Sequence, residues 1–305
     1  MEYQCGGSIV DERTIVTAAH CVTNLNGAIS RRLISVRVGH TNLKEQNEYT
    51  QAHEVESLIV YPGFGKNSIA NDIALIKLTN SIAMSNYVQP VCLWTMANEL
   101  HSIVGQNGTT VGFGLMENDV QSDRLKQALV GIVDPLVCIS SYRQVYGTHL
   151  TTEMFCGKGQ HGVSACNGDS GGGMFLNVGG RWFLRGLVSF IPERDKTNLC
   201  DSTQHTVYTD VAKYVGWMRQ YVDERVLPDE SAIEVDYEEK MRLFDFATCG
   251  ELQATNARYD RFPPWTGLVH ASSNLLDTDR SCLVTLVSQS YAIGPAHCFP
   301  NDGVR

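Results

Sequence analysis

Three short stretches of this chain carry side chains that could break and form acyl bonds. SACNGDSGGGM (164–174) sets Ser170 among glycines, TAAHC (17–21) holds His20, and NDIALIKL (71–78) holds Asp72. A serine hydroxyl is a poor nucleophile until a base takes its proton. An imidazole can be that base and can later protonate the leaving group. A carboxylate can hold the imidazole in one tautomer and stabilise its charged form. A serine flanked by glycines is a weak signal alone, because Gly- and Ser-rich loops are common. The three stretches together, in the order His, Asp, Ser, are far more specific.

Such groups need a rigid host, and the composition supplies one. The 305 residues are 43% hydrophobic and 19% charged, which excludes wholesale disorder. The formal charge of -9 argues against a nucleic-acid binder and against a polybasic membrane-surface protein. No apolar run is long enough to span a bilayer. Ten cysteines occur without any C-x-x-C, which points to disulfides and an oxidising, extracellular compartment. MEYQCGGSIV has neither the basic lead nor the apolar core of a signal peptide, so Met1 is not expected to be the natural start. His53, His101, His149, His161, His205 and His270 show no metal spacing, and neither a metal nor a cofactor is expected. Asn107, in NGT, is a glycosylation sequon if the chain is secreted.

Residues 5–115 read as short β-prone runs (SIV, TIVTAA, ISVRVG, VESLIVY, DIALIKL) between Gly, Asn, Pro and Asp turns, the pattern of an antiparallel sandwich or barrel. Residues 125–190 continue it. In TDVAKYVGWMRQYV, Val211, Tyr214, Val215 and Met218 recur every three to four residues, predicting a helix over 209–222. An acidic stretch follows, read as a solvated linker over 224–248. Cys249 opens a second apolar region, 249–305. There Cys282 and Cys298 repeat the spacing of Cys5 and Cys21, with His297 falling on His20 and Val287 on Val10. A fixed-spacing Cys…His-Cys unit with an apolar strand inside is an internal repeat.

The three motifs resemble those of the chymotrypsin-like (trypsin-like) serine protease family, over essentially all of residues 5–222. The layout is similar to insect proteins with more than one protease-like domain. The resemblance implies an all-β domain over 1–223, made of two six-stranded antiparallel barrels and a C-terminal helix, with the first copy lacking its opening strand. It implies a degenerate, truncated second copy over 249–305. It makes His20, Asp72 and Ser170 a triad and the N–H groups of Gly168 and Ser170 an oxyanion hole. It places Ser164 at the base of the primary pocket and Ser189, Phe190, Ile191 and Thr206 around it. Without a carboxylate at 164, and with branched residues on both walls, the pocket should favour small aliphatic side chains; a blocked pocket is the other reading. The implied disulfides are Cys5–Cys21, Cys138–Cys156, Cys166–Cys200 and Cys282–Cys298. Cys92 and Cys249 match propeptide-tethering cysteines, and pairing with each other stays open. His40, Asn47 and Thr50 stand where some relatives carry calcium-loop acids, so no calcium site is expected.

Family members become active when a freed Ile- or Val-led N-terminus pairs with the aspartate before the serine, here Asp169. No such N-terminus precedes Gln4, so this chain is expected to be zymogen-like. The function implied is a secreted endopeptidase acting on proteins or peptides, with protease inhibitors and other cascade proteases as further partners. The alternative is a non-catalytic homologue that binds or regulates other proteases.

Overall fold

A computed structural model describes residues 3–65, 69–116 and 118–228, and the backbone of three strands at 266–271, 280–286 and 292–293. The chain divides into two units, 1–233 and 234–305.

The first unit begins with β1 (Ser8–Asp11) and β2 (Thr14–Thr17). A small hairpin of β3 (Thr23–Asn24) and β4 (Gly27–Ala28) follows, then β5 (Ser35–Val38), β6 (Gln51–Val60) and β7 (Ala74–Leu78). The main strands form an antiparallel sheet in the order β1-β2-β7-β6-β5. Among the described residues this sheet has five strands, where a complete barrel of the expected kind has six. The other half comprises β8 (Cys92–Leu93), β9 (Asn107–Gly112), β10 (Lys126–Val133), β11 (Met154–Gly159), β12 (Gly173–Val178), β13 (Arg181–Phe190) and β14 (Thr206–Asp210). Strands β9-β10-β11-β14-β13-β12 close on themselves through Met174↔Thr110 and Phe175↔Thr109, making a six-stranded barrel. β8 adds to β13 in parallel.

Successive strand side chains point to opposite faces, and here both faces are buried. In β2, Ile15 enters the interior of the first sheet with Val38, Val55 and Ile76. Its neighbour Val16 faces the other way, into a cluster with Leu75, Leu93, Leu184 and Leu187 that welds the two halves. Each such side chain contributes about 1.5–3 kcal/mol on burial, so the seam between the halves is rigid.

Three local departures have physical causes. The segment 209–222 is not one helix. Thr209 and Asp210 are claimed by β-pairing with Met154 and Gly186. The Asp210 carboxylate then caps a 3₁₀ turn, Val211–Lys213, by accepting from Ala212 N–H, and helical geometry resumes only over α3 (Val215–Met218). Inside the stretch read as continuous β, two helices appear, α1 (Pro135–Ser141) and α2 (Arg143–His149). Asp134 caps α1 and Pro135 opens it. Finally, Val226 is buried in the seam cluster, and Thr95 donates to the Pro228 carbonyl (2.6 Å). The packed unit therefore runs past residue 223.

In the second unit, β15 (Thr266–Ala271), β16 (Arg280–Leu286) and β17 (Ala292–Ile293) form an antiparallel meander. The pairs Thr285↔Ile293 and Leu286↔Ala292 fall where Ser8↔Val16 and Ile9↔Ile15 fall when Cys282 is aligned with Cys5. The expected Cys282–Cys298 bridge, Cys249, the side chains of His161 and His270, and residues 229–248 of the linker lie outside the described residues.

Candidate active site

His20 sits in a short 3₁₀ turn after β2, and Asp72 lies two residues before β7. Because β2 and β7 pair through Thr17↔Ala74, the two side chains meet at one end of the sheet. Asp72 is 1% exposed. Its Oδ1 accepts from His20 N–H (2.9 Å) and its Oδ2 lies 2.7 Å from His20 Nδ1. Ser189, on β13, donates to the same Oδ2 at 2.6 Å, and Thr209, on β14, donates to the Asp72 carbonyl at 3.0 Å. A carboxylate so enclosed fixes Nδ1 as the protonated nitrogen and leaves Nε2 as the basic one. Burial lowers the His20 pKa, but the hydrogen bond and charge of Asp72 outweigh it and hold the imidazole above its usual value.

Ser170 lies in the turn before β12. Gly6 N–H donates to its carbonyl (2.8 Å), and Gly6 O in turn accepts from Thr17 Oγ1 (2.8 Å). Gly171 has φ +73, and a Cβ there would fall 2.8 Å from Gly6 O and 3.0 Å from Ala18 N. Only glycine permits that approach, which seats the serine turn against the strand leading to His20. No Ser170–His20 hydrogen bond forms here; His20 Nε2 lies 3.7 Å from Cys21 Sγ. Around the turn, the N–H groups of Asp169, Gly171 and Gly172 are bonded to Cys166, Val188 and Asp169 carbonyls. Those of Gly168 and Ser170 have no acceptor among the described residues. Two free donors beside a serine hydroxyl suit a developing oxyanion.

Asp169 is buried, and its carboxylate accepts from Gly114 N–H (2.8 Å) and Cys166 N–H (2.9 Å). Burial raises its pKa and the two N–H groups only partly oppose this. No cation pairs with it among the described residues. It borders a cavity of about 350 Å³ that Ser164 and Arg194 also line. Ser164 Oγ is 2.9 Å from Thr206 Oγ1, but Thr206, Ser189, Phe190 and Ile191 are not among the residues that line this cavity. Phe190 ends β13 with Ile191 next to it, and the Phe190 ring meets His149 edge-on at 6.2 Å.

Cys5–Cys21, Cys138–Cys156 and Cys166–Cys200 are disulfide-bonded. The first braces the His20 turn and the third braces the Ser170 turn. Cys92 has no disulfide partner among the described residues. Cys5, His20 and Cys21 lie close enough to share a metal ion, but the two sulfurs are bonded to each other and offer no thiolate.

The family model described as Trypsin matches residues 1–218. The chain belongs to this family. Among its trypsin-family relatives, CLIP domain-containing serine protease B9 of Anopheles gambiae is 32% identical over 236 residues, covering 73% of this chain and 57% of that protein. Chymotrypsin-like elastase family member 1 of Rattus norvegicus is 32% identical over 225 residues, covering 72% and 79%. Mouse neuropsin, a serine protease of solved structure, matches with a TM-score of 0.58 at 27% identity, covering 72% of this chain and 89% of its own. The chain spans about three-fifths or less of the length of several curated relatives, Clotting factor C of Tachypleus tridentatus (22%) among them.

Sequence reasoning did not reach three residues that hold Asp72 from outside the triad. Thr209 opens the segment whose periodicity predicts a helix, Tyr214 falls on the apolar face of that helix, and Asn71 lies inside the NDIALIKL stretch. Asn directly before Asp was the available signal, because Asn tolerates the left-handed backbone found there (φ 60).

Proposed function

We propose that this trypsin-family chain is a secreted serine endopeptidase with Ser170 as nucleophile. His20 Nε2 takes the Ser170 proton as Oγ attacks the scissile carbonyl. The C–N bond breaks as His20 returns that proton to the departing amine. Water then hydrolyses the acyl-enzyme by the same route. Asp72 holds the imidazole tautomer throughout, and the Gly168 and Ser170 N–H groups bind the oxyanion, each worth about 3 kcal/mol. The observation that carries this reading is the enclosed His20–Asp72–Ser189 array beside a serine turn with two free N–H donors.

The primary pocket takes small aliphatic side chains. Ser164 offers no anion to an Arg or Lys, and its contact with Thr206 takes up depth that a long side chain needs. The likeness to an elastase and to cascade proteases supports peptide or protein substrates, with cascade proteases and protease inhibitors as further partners. Secretion accords with the disulfides. The shared register of β16/β17 and β1/β2 supports the second unit as a partial repeat.

A second reading, a non-catalytic homologue that binds or regulates other proteases, draws on one observation: among the described residues, buried Asp169 has no cation beside it. Peptide anilides ending in Ala, Val or Arg test both, assayed with and without an Ile-Val dipeptide whose ammonium can reach Asp169. Cleavage after Ala or Val, lost in Ser170→Ala, supports the endopeptidase. No cleavage under either condition supports the binding homologue, and preference for Arg overturns the pocket assignment.

A further inference from the structure

Asp72 is preceded by a residue in an unusual conformation. Asn71 has φ 60, one of three non-glycine residues with positive φ among those described. Such backbone costs about 1–3 kcal/mol unless its surroundings impose it. Here they do. Asn71 Oδ1 accepts from Tyr214 O–H at 2.9 Å, and Nδ2 donates to the Gly63 carbonyl at 3.0 Å. Ile73 N–H donates to Asn71 O (2.8 Å), closing a tight three-residue turn with Asp72 at its centre. The direction of the Asp72 side chain therefore follows from the Asn71 backbone.

The other half of the clamp comes from far along the chain. Tyr214 links the 3₁₀ turn after β14 to α3. Its ring packs edge-on against Tyr61 at 4.9 Å. Burial, then the charges of Glu153, Tyr61, Asp210 and Asp72, push its phenol far up, so it stays a donor. That donor fixes which end of the Asn71 amide faces it, leaving Nδ2 for Gly63. A Cβ on Gly63 would sit 3.0 Å from Nδ2, so the glycine there makes room for the contact.

We propose that Asn71 and Tyr214 act together as positioning residues for Asp72, coupling the docking of the C-terminal segment to the alignment of His20. The inference rests on the assignment of Asp72 as the orienting carboxylate. The three hydroxyl and amide groups on Asp72 itself hold it once it is in place; the clamp sets where the turn delivers it.

The test uses the full chain with Tyr214→Phe, Asn71→Ala and Asn71→Gly. Tyr214→Phe keeps the ring packing and so keeps the fold. Two readouts are taken: the rate of Ser170 labelling by a fluorophosphonate, and the NMR titration of the His20 imidazole. We expect labelling to slow about tenfold in Tyr214→Phe and about ten- to a hundredfold in Asn71→Ala. Asn71→Gly, which adopts positive φ freely, should recover part of that loss. The His20 midpoint should fall in the slow variants, because the hydrogen bond and charge of Asp72 hold it up. A Tyr214→Phe protein that labels at the wild-type rate, with His20 unmoved and only its melting temperature lowered, overturns the proposal. If the wild-type chain does not label even with an Ile-Val dipeptide present, the hydrolase reading fails, and the titration alone decides the positioning role.

Discussion

Removing the Ser189 hydroxyl is the sharpest single perturbation of the site. Asp72 is 1% exposed, so water contributes almost nothing to its solvation. The carboxylate depends on His20 N–H, the His20 imidazole and Ser189 Oγ. Ser189→Ala deletes one of the three and leaves a void of roughly one hydroxyl, too small to admit a water. A hydrogen bond to a charged, buried acceptor contributes about 1.5–3 kcal/mol. For a unit of this size each kcal/mol moves the melting temperature by about 2–4 °C. The variant should therefore melt about 3–12 °C lower by calorimetry. With its charge shared between fewer partners, Asp72 should grip the imidazole harder, and the His20 titration midpoint should rise. Ser140→Ala is the control, because the Ser140 hydroxyl bonds the Leu136 carbonyl on an exposed face of α1; it should cost under about 0.5 kcal/mol. If Ser189→Ala melts no lower than Ser140→Ala, or if the His20 midpoint falls, the account of how Asp72 is held is wrong.

Other consequences follow from the same structure. Burial lowers the His20 pKa but Asp72 more than offsets it, so the folded value is raised. The stability this pairing contributes is then full below pH about 6.5 and is lost as pH rises through the folded value; urea denaturation across pH should show that slope, and Asp72→Asn should remove it. Gly114→Ala would drive a methyl into the Asp169 carboxylate, which accepts from Gly114 N–H. It should destabilise by about 1–3 kcal/mol, whereas Gly216→Ala, in open space on α3, should be neutral or stabilise by about 0.5–1 kcal/mol, both read by calorimetry. Arg185 and Asp210 form a pair 0% and 1% exposed, with Arg185 Nε and Nη1 unpartnered. Burial drives Arg185 down and, against the charge of Arg185, drives Asp210 up to about 6. Replacing both, Arg185→Met with Asp210→Asn, should raise stability by about 1–3 kcal/mol in urea titrations; a drop would show the ion pair to be net favourable.

Much of this was legible in the residues, and the failures are instructive. The strands were readable because TIVT and ALIKL are short apolar, β-prone runs and the breaks between runs carry turn residues. The two-faced burial of β2 and β7 was not, since it depends on a second sheet that arrives over a hundred residues later. The helix over 209–222 failed at its start because β11 and β13 take Thr209 and Asp210 as ladder partners, which no local periodicity reports. Asp134-Pro135 was a readable helix start that the surrounding apolar runs masked. At the site, the motif residues were visible as motifs. Thr209 and Tyr214 are ordinary residues distant in sequence, and only the fold brings Thr209 to the Asp72 backbone carbonyl and Tyr214 to the Asn71 amide.

The most direct measurement is intact mass and peptide mapping of the full chain after exposure to a fluorophosphonate, with and without an Ile-Val dipeptide. The account predicts one covalent adduct, on Ser170, absent in Ser170→Ala and strongly slowed in His20→Ala. An adduct on any other serine, or a Ser170 adduct that forms equally fast without His20, would contradict it.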